Sequence, residues 1–154
     1  MRRIGLISDT HGLLRPEALA FLQGCDGIVH AGDICDPSVL DGLRRIAPLV
    51  VVRGNNDHGP WADEIAVTET VRIEGVMLAA IHDIADLATH PLPDDVAVVV
   101  HGHSHKPAVV TRDGVVFVNP GSAGPRRFKL PISIGELRVD SARFEARLVT
   151  LAEA

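Results

Sequence analysis

Two short segments, Asp9-Thr10-His11 and His103-Ser104-His105, each carry a pair of metal-capable side chains two residues apart. At the end of an extended strand that spacing turns both side chains to one face, so each pair can grip an ion. Asp33 and Asn55 add oxygen donors and His82 adds a nitrogen, for seven candidate ligands. Seven side chains hold two ions only if one of them bridges, and a carboxylate bridges best, which makes Asp33 the candidate bridge. Imidazole mixed with carboxylate and amide oxygen, without thiolate, favours two divalent transition-metal ions. That set admits Mn, Fe, Zn, Co or Ni ahead of Ca or an all-sulfur structural zinc, and leaves the choice among them open. Two such ions roughly 3.5–4 Å apart polarise a phosphoryl group and generate a hydroxide nucleophile near neutral pH.

The elements that must position these residues are legible as short apolar runs that stop at clusters of Asp, His, Gly and Asn. Strand-like runs at 4–7, 28–30 and 49–52 end at Asp9, at Gly32-Asp33 and at Gly54-Asn55-Asn56-Asp57; runs at 77–81 and 96–100 end at His82 and at Gly102-His103-Ser104-His105. In open α/β sheets the crevice beyond the carboxyl ends of the strands is where ligands bind, so five such exits can share one site. Residues 16–22 and 37–46 read as helices, each with Pro at the first turn and the second with Leu40, Leu43 and Ile46 at helical spacing. The first half therefore reads β-α-β-α-β. The second half reads as mostly β: runs at 68–73 and 77–81 flank Glu74-Gly75, runs at 109–112 and 115–118 flank Asp113-Gly114, and runs at 132–139 and 144–151 flank Asp140-Ser141. Asp-Gly between apolar runs is a hairpin signal. The near-continuous apolar runs 49–52 and 96–100 predict strands buried on both faces, with helices outside a sheet layer.

The chain of 154 residues, 46% apolar and 23% charged, has the size and balance of one globular domain spanning 1–154. Its net charge of −5 offers no broad attraction to nucleic acid or anionic membrane, so no stable nucleic-acid binding is expected and any pull on phosphate must be local. Cys25 and Cys35, the only two cysteines, form neither a C-x-x-C motif nor a disulfide framework, which fits a reducing cytoplasm. The apolar run before Asp9 is too short for a signal-peptide core, and no later run approaches membrane-spanning length.

Taken in order, D-x-H at Asp9 and His11, G-D-x-x-D at 32–36, G-N-x-D at 54–57, the lone His82 and G-H-x-H at 102–105 resemble the calcineurin-like metallophosphoesterases. The likeness is nearest to the small bacterial and archaeal phosphodiesterases of that superfamily, which also share the Asn119-Pro120-Gly121-Ser122 segment. The resemblance implies two packed mixed β-sheets flanked by helices. It implies one ion held by Asp9, His11, Asp33 and His105, and another by Asp33, Asn55, His82 and His103. With the resemblance, the residues predict hydrolysis of a small phosphodiester by in-line attack of a metal-bound hydroxide; by their own chemistry Asn55 is a candidate to orient the phosphoryl oxygen and Arg126, with its forked donors, to join the ions in stabilising the equatorial oxygens. Asp36 is then a loop-fixing or outer carboxylate, and dimers or tetramers of the chain are an expectation by the same resemblance.

Two positions depart from the pattern. Many members carry His where this chain has Asn56, and that His is thought to protonate the leaving oxygen; Asn cannot, although the small phosphodiesterases lack it too, and His58 is a candidate substitute. His82 is followed by Asp83 where the family usually has Gly, and the segment 84–95, with Pro91 and Pro93, is too short and broken for a long helix. Simpler readings stand beside the sharp ones: Asp9 and Asp33 as helix caps, Gly32 and Gly54 as turn formers, His30, His90 and His101 as ordinary strand-end or loop histidines. Two alternatives to a phosphodiesterase remain open: a phosphomonoesterase or protein phosphatase, and a non-catalytic protein-binding scaffold, since the superfamily includes a retromer subunit used in that way.

Overall fold

In the computed structural model, which describes residues 1–152, the first half alternates as read: β1 (Arg2–Ile7), α1 (Pro16–Leu22), β2 (Gly27–His30), α2 (Pro37–Arg44), β3 (Leu49–Val51) and a short α3 (Pro60–Asp63). Pro opens all three helices, where its missing N–H costs nothing and its fixed φ suits the turn. Strands dominate the second half: β4 (Thr68–Ile73), β5 (Val76–Ile81), β6 (Val98–Val100), β7 (Ala108–Arg112), β8 (Val115–Asn119), β9 (Ile132–Asp140) and β10 (Arg143–Ala152). A 3₁₀ turn, Ile84–Ala88, takes the place of a helix between β5 and β6.

The strands form two mixed five-stranded sheets, ordered β10-β9-β1-β2-β3 and β4-β5-β6-β8-β7. Each contains a run of three parallel strands, β1, β2 and β3 in the first and β5, β6 and β8 in the second. Strand alternation explains the layering. Ile4, Leu6, Leu137 and Val139 of the first sheet meet Val76, Leu78, Ala80, Val98, Val100 and Val118 of the second in one core between the sheets. On the far side of the first sheet, Ile7, Ile28 and Ile134 pack against Ala18 and Leu22 of α1 and Val39, Leu40 and Leu43 of α2. The outer face of the second sheet is covered not by a helix but by Ile84, Leu87 and Leu92, which lie over Ala79, Ile81 and Val99.

One expectation about burial is corrected. β6 is buried throughout, but β3 is only half-buried, because it is the edge of its sheet and lacks a neighbour on one side. An apolar run alone cannot distinguish a central strand from an edge strand leaning on α2. No helix among the described residues is long and apolar enough to cross a membrane.

Candidate metal centre

The parallel strands of both sheets deliver their exits to one end of the molecule, and backbone hydrogen bonds lace those exits together. The Asp9 N–H donates to Gly32 O (3.0 Å) and the His11 N–H to Asp33 O (2.9 Å), so the loop after β1 runs beside the loop after β2. The Gly102 N–H donates to His82 O (2.9 Å), and the Ala123 N–H to Ser8 O (3.2 Å), which joins the two sheets. Two-residue spacing converges here by a different route from the pleat the sequence implied. β1 ends at Ile7, and Asp9 (φ 54), His11 (φ 46), Asp33 (φ 59), His103 (φ 73) and His105 (φ 63) all lie in the left-handed region. Each such residue stores about 1–3 kcal/mol of backbone strain, held by the surrounding structure.

These bends bring the polar atoms together. Asp9 Oδ1 lies 3.4 Å from His105 Nε2 and 3.9 Å from both His11 Nε2 and His82 Nε2. Asp33 Oδ2 lies between the two sides of the cluster, 3.6 Å from His11 Nε2 and 3.4 Å from His82 Nε2. The His11 and His105 Nε2 atoms approach each other to 3.4 Å. Asp9, His11 and His105 make one group able to hold an ion, and Asp9, Asp33 and His82 another. Asp9 Oδ1 and His82 Nε2 are buried, yet neither has a hydrogen-bond partner among the described residues. Buried polar atoms are rarely left unpaired, and a divalent transition metal is what carboxylate oxygens and imidazole nitrogens converging in this way would satisfy together. The residues fit a metal.

Charge is arranged consistently with this. Burial pushes the Asp9 carboxyl up, but His105, His82 and Ser8 outweigh it and hold the group below the usual carboxylate range. Asp33 behaves likewise, burial opposing and His82 and Asn56 prevailing, well below the usual range. Burial lowers the His11 pKa against the pull of Asp33 and Asp9, with the positive Arg127 adding to the lowering.

Several supports were not singled out as such in the sequence. Asp57, buried, accepts N–H groups from Asp33 (3.0 Å), Ile34 (2.8 Å), Cys35 (2.8 Å) and Gly54 (2.8 Å), and so shapes the loop that carries Asp33. Its place at the end of G-N-x-D was the available signal. Asn56 gives its backbone N–H to Asp33 Oδ1 and its side-chain amide to Asp33 Oδ2, both at 2.9 Å. Ser8 Oγ donates to Asp9 Oδ2 (2.7 Å), and the His103 N–H reaches the same oxygen at 3.2 Å. His30 is fully buried: its Nδ1 accepts from the Gly32 N–H (3.0 Å), which leaves Nε2–H to donate to Thr10 Oγ1 (3.0 Å), and burial pushes its pKa down to about 4. Nothing in its residue type separated it from an ordinary strand-end histidine.

Glycines admit the backbone here for steric reasons. A Cβ at Gly54 would collide with Asp33, and one at Gly102 with Ser8 and Asp9. The Asn119 segment is a buttress: Asn119 Nδ2 donates to Gly102 O (3.2 Å) and Ser104 Oγ (3.1 Å), and Ser122 Oγ donates to Asp9 O (2.9 Å).

The remaining candidates are more exposed. His103 Nδ1 is 3.2 Å from Asn55 Oδ1, and its Nε2 is 3.6 Å from Asp83 Oδ2. Arg126, Arg127 and His58 are exposed; Arg127 acts through its charge on His11 and Cys35. Burial, with Asp57 and Asp33, pushes the Cys35 thiol up to about 11. Neither Asp9 nor Asp33 caps a helix: Arg15 stands at the start of α1, and Asp36 caps α2 through Ser38 N. Asp36 therefore fixes the loop from the exposed side.

A family model described as a calcineurin-like phosphoesterase superfamily domain matches residues 1–142. A "probable metallophosphoesterase" of Methanothermobacter thermautotrophicus is 33% identical, with 95% of this chain and 91% of that protein covered. Among solved structures, one described as a novel archaeal phosphodiesterase superposes with a TM-score of 0.76 at 22% identity, over 96% of this chain and 99% of its own. Vps29 of Chaetomium thermophilum superposes with a TM-score of 0.78 at 19% identity, over all of both chains. At these identities the two structures speak for the fold.

Proposed function

The chain belongs to the calcineurin-like phosphoesterase superfamily, and from that premise we propose that it is a binuclear, metal-dependent phosphodiesterase acting on a small diester in the cytoplasm. The observation that carries this reading is the convergence of Asp9 Oδ1, Asp33 Oδ2 and the Nε2 atoms of His11, His82 and His105, with buried Asp9 Oδ1 and His82 Nε2 lacking hydrogen-bond partners among the described residues. Asp9, His11, Asp33 and His105 would hold one ion; Asp33, Asn55, His82 and His103 would hold the other, with Mn the first candidate metal. When bound, such ions supply Lewis acidity to a phosphoryl oxygen and activate water near neutral pH.

The chain's own residues do the rest. Asp33 would be the carboxylate shared between the two ions, supported by its Oδ2 lying within 3.6 Å of His11 Nε2 and His82 Nε2, although Asp9 Oδ1 also faces histidines of both groups. Asn56 is committed to Asp33 through both of its donors, and an amide has no acidic proton to give a leaving group. Diesters with good leaving groups are therefore the favoured substrates. Asn55 orients the phosphoryl oxygen, and Arg126 adds positive charge from the loop that follows Ser122.

The test is hydrolysis of bis-p-nitrophenyl phosphate by chelator-stripped protein, with and without Mn²⁺, beside the p-nitrophenyl monoester. Manganese-dependent turnover of the diester over the monoester is the expected result. Preference for the monoester would move the reading to a phosphomonoesterase, and two bound ions without turnover of either ester would move it to a protein-binding scaffold.

A further inference from the structure

The loop between β8 and β9 is rooted in the metal centre. Ser122 Oγ donates to Asp9 O (2.9 Å) and accepts the Gly124 N–H (3.2 Å), and the Ser133 N–H closes the far end on Ser122 O (3.0 Å). Gly124 lies directly on the backbone of the site, where a Cβ would collide with the carbonyls of Asp9 and Thr10, and Arg15 holds the Gly124 carbonyl from the start of α1 at 3.2 Å. Beyond this root the chain turns into solvent. Residues 125–129 are all exposed, and the Leu130 N–H donates to Arg127 O (3.2 Å), closing a tight turn with Phe128 and Lys129 at its tip.

The composition of this tip is at odds with the rest of the molecule. The chain carries a net charge of −5, yet no acidic residue stands between Asp113 and Glu136, and Arg126, Arg127 and Lys129 fall within four positions. Arg127 is near enough for its charge to act on His11 and Cys35. Phe21, Phe117 and Phe144 are partly buried against apolar neighbours, whereas Phe128 is 92% exposed. It also sits at φ 55, a conformation that tight turns ordinarily give to Gly or Asn. Stability explains neither feature, because the ring buries almost none of its surface and its backbone is strained. Strain held at such a place points to function.

We propose that Phe128 is a specificity-determining residue, a stacking platform for the base of a nucleoside phosphodiester, with Arg127 and Lys129 drawing in the phosphate. Every nucleobase has a π face that stacks on an aromatic side chain, and cations beside the ring supply the local attraction that the acidic chain otherwise lacks. A knob for docking another protein would account for the exposed ring, but not for its root on Asp9 or its place beside Arg127. The proposal rests on the diesterase reading and narrows its substrate class.

Two diesters with the same leaving group test it: thymidine 5′-(p-nitrophenyl phosphate), and methyl p-nitrophenyl phosphate, which lacks the base. With Mn²⁺, the nucleoside ester should be preferred about tenfold in kcat/KM through a lower KM; Phe128→Ala should remove that preference and Phe128→Trp should keep it. Equal losses on both esters in Phe128→Ala, or turnover without preference in the parent, would overturn the proposal. Binding gives a readout apart from turnover. With diamagnetic Zn²⁺ present, the Phe128 ring protons should shift upfield on titration with adenosine 5′-monophosphate and stay in place with ribose 5-phosphate. Ring lines that answer both phosphates alike, or neither, would overturn the proposal. If neither diester is hydrolysed while the ring lines follow the nucleotide alone, the nucleotide site stands and the diesterase reading falls.

Discussion

At the scale of single residues, Asp57 does more for the site than its anonymity in the pattern implied. One buried carboxylate gathers four N–H groups from the two loops that meet at Asp33. Asp57→Asn replaces an accepting oxygen with a donor that opposes those N–H groups. It should destabilise the metal-free chain by about 2–4 kcal/mol in urea denaturation, since each charge-assisted bond lost in a buried place costs about 1.5–3 kcal/mol. Metal uptake should weaken with it, because the backbone carrying Asp33 loses its anchor. A variant within about 0.5 kcal/mol of the parent would mean that water or relaxation satisfies the loops without Asp57. The ligand-type residues were legible because Asp and His pairs at strand exits are uncommon and chemically specific. Asp57 and His30 were less so, because their task is to accept N–H groups, and residue type does not reveal which N–H groups will be brought near.

At the scale of elements, strands and helices were readable wherever a local rule decided them: Pro16 and Pro37 at helix starts, Glu74-Gly75 and Asp113-Gly114 at tight turns. The four residues of α3 and the 3₁₀ turn were not, since segments so short have too little periodicity to register and owe their form to packing. The left-handed bends were hidden for a related reason. Nothing local distinguishes an Asp at φ 54 from one in a strand; the conformation is imposed by hydrogen bonds from the neighbouring loop. The turn between β9 and β10 repeats the lesson at the opposite end of the molecule. Ser141 (φ 49) and Ala142 (φ 67) adopt a turn normally given to Asn-Gly, and the Ala142 N–H donates to Glu74 O at 2.7 Å, tying this hairpin to the one between β4 and β5. Ala142→Gly keeps that N–H and removes the left-handed penalty of about 1–2 kcal/mol, less the extra entropy of a glycine in the unfolded chain, about 0.5–1 kcal/mol. A gain of about 0.5–1 kcal/mol in urea denaturation is the expected outcome. A loss would show that the Ala142 methyl against Gly75 matters more than its φ.

At the scale of the whole molecule, the first sheet is tied together by a buried charge far from the metal centre. Glu136 of β9 stands opposite Gly5 of β1 and opposite Arg147 of β10. Its carboxylate is 1% exposed and is met by Arg3, Arg147 and Arg138. Arg3 also donates to Phe21 O at 2.7 Å and Gln23 O at 3.2 Å, so one guanidinium joins β1, β9 and the end of α1. Burial alone would raise the Glu136 pKa from 4.5, but Arg3 and Arg147 hold it below that value. A folded-state pKa below the unfolded one means that the unfolded chain binds the proton first. The stabilisation is therefore present above about pH 4.5 and is lost as pH falls through the folded value. Glu136→Gln should cost about 1–3 kcal/mol near neutral pH, a figure kept low because Arg138 and Arg147 are half-exposed and partly screened. The gap between the two metal-free proteins should then narrow through the acid range. Asp9 and Asp33 titrate in both proteins, so the difference between their urea midpoints isolates Glu136. A gap of constant size across that range would mean that Gln loses packing rather than charge, and that the sheet is held by its apolar core alone.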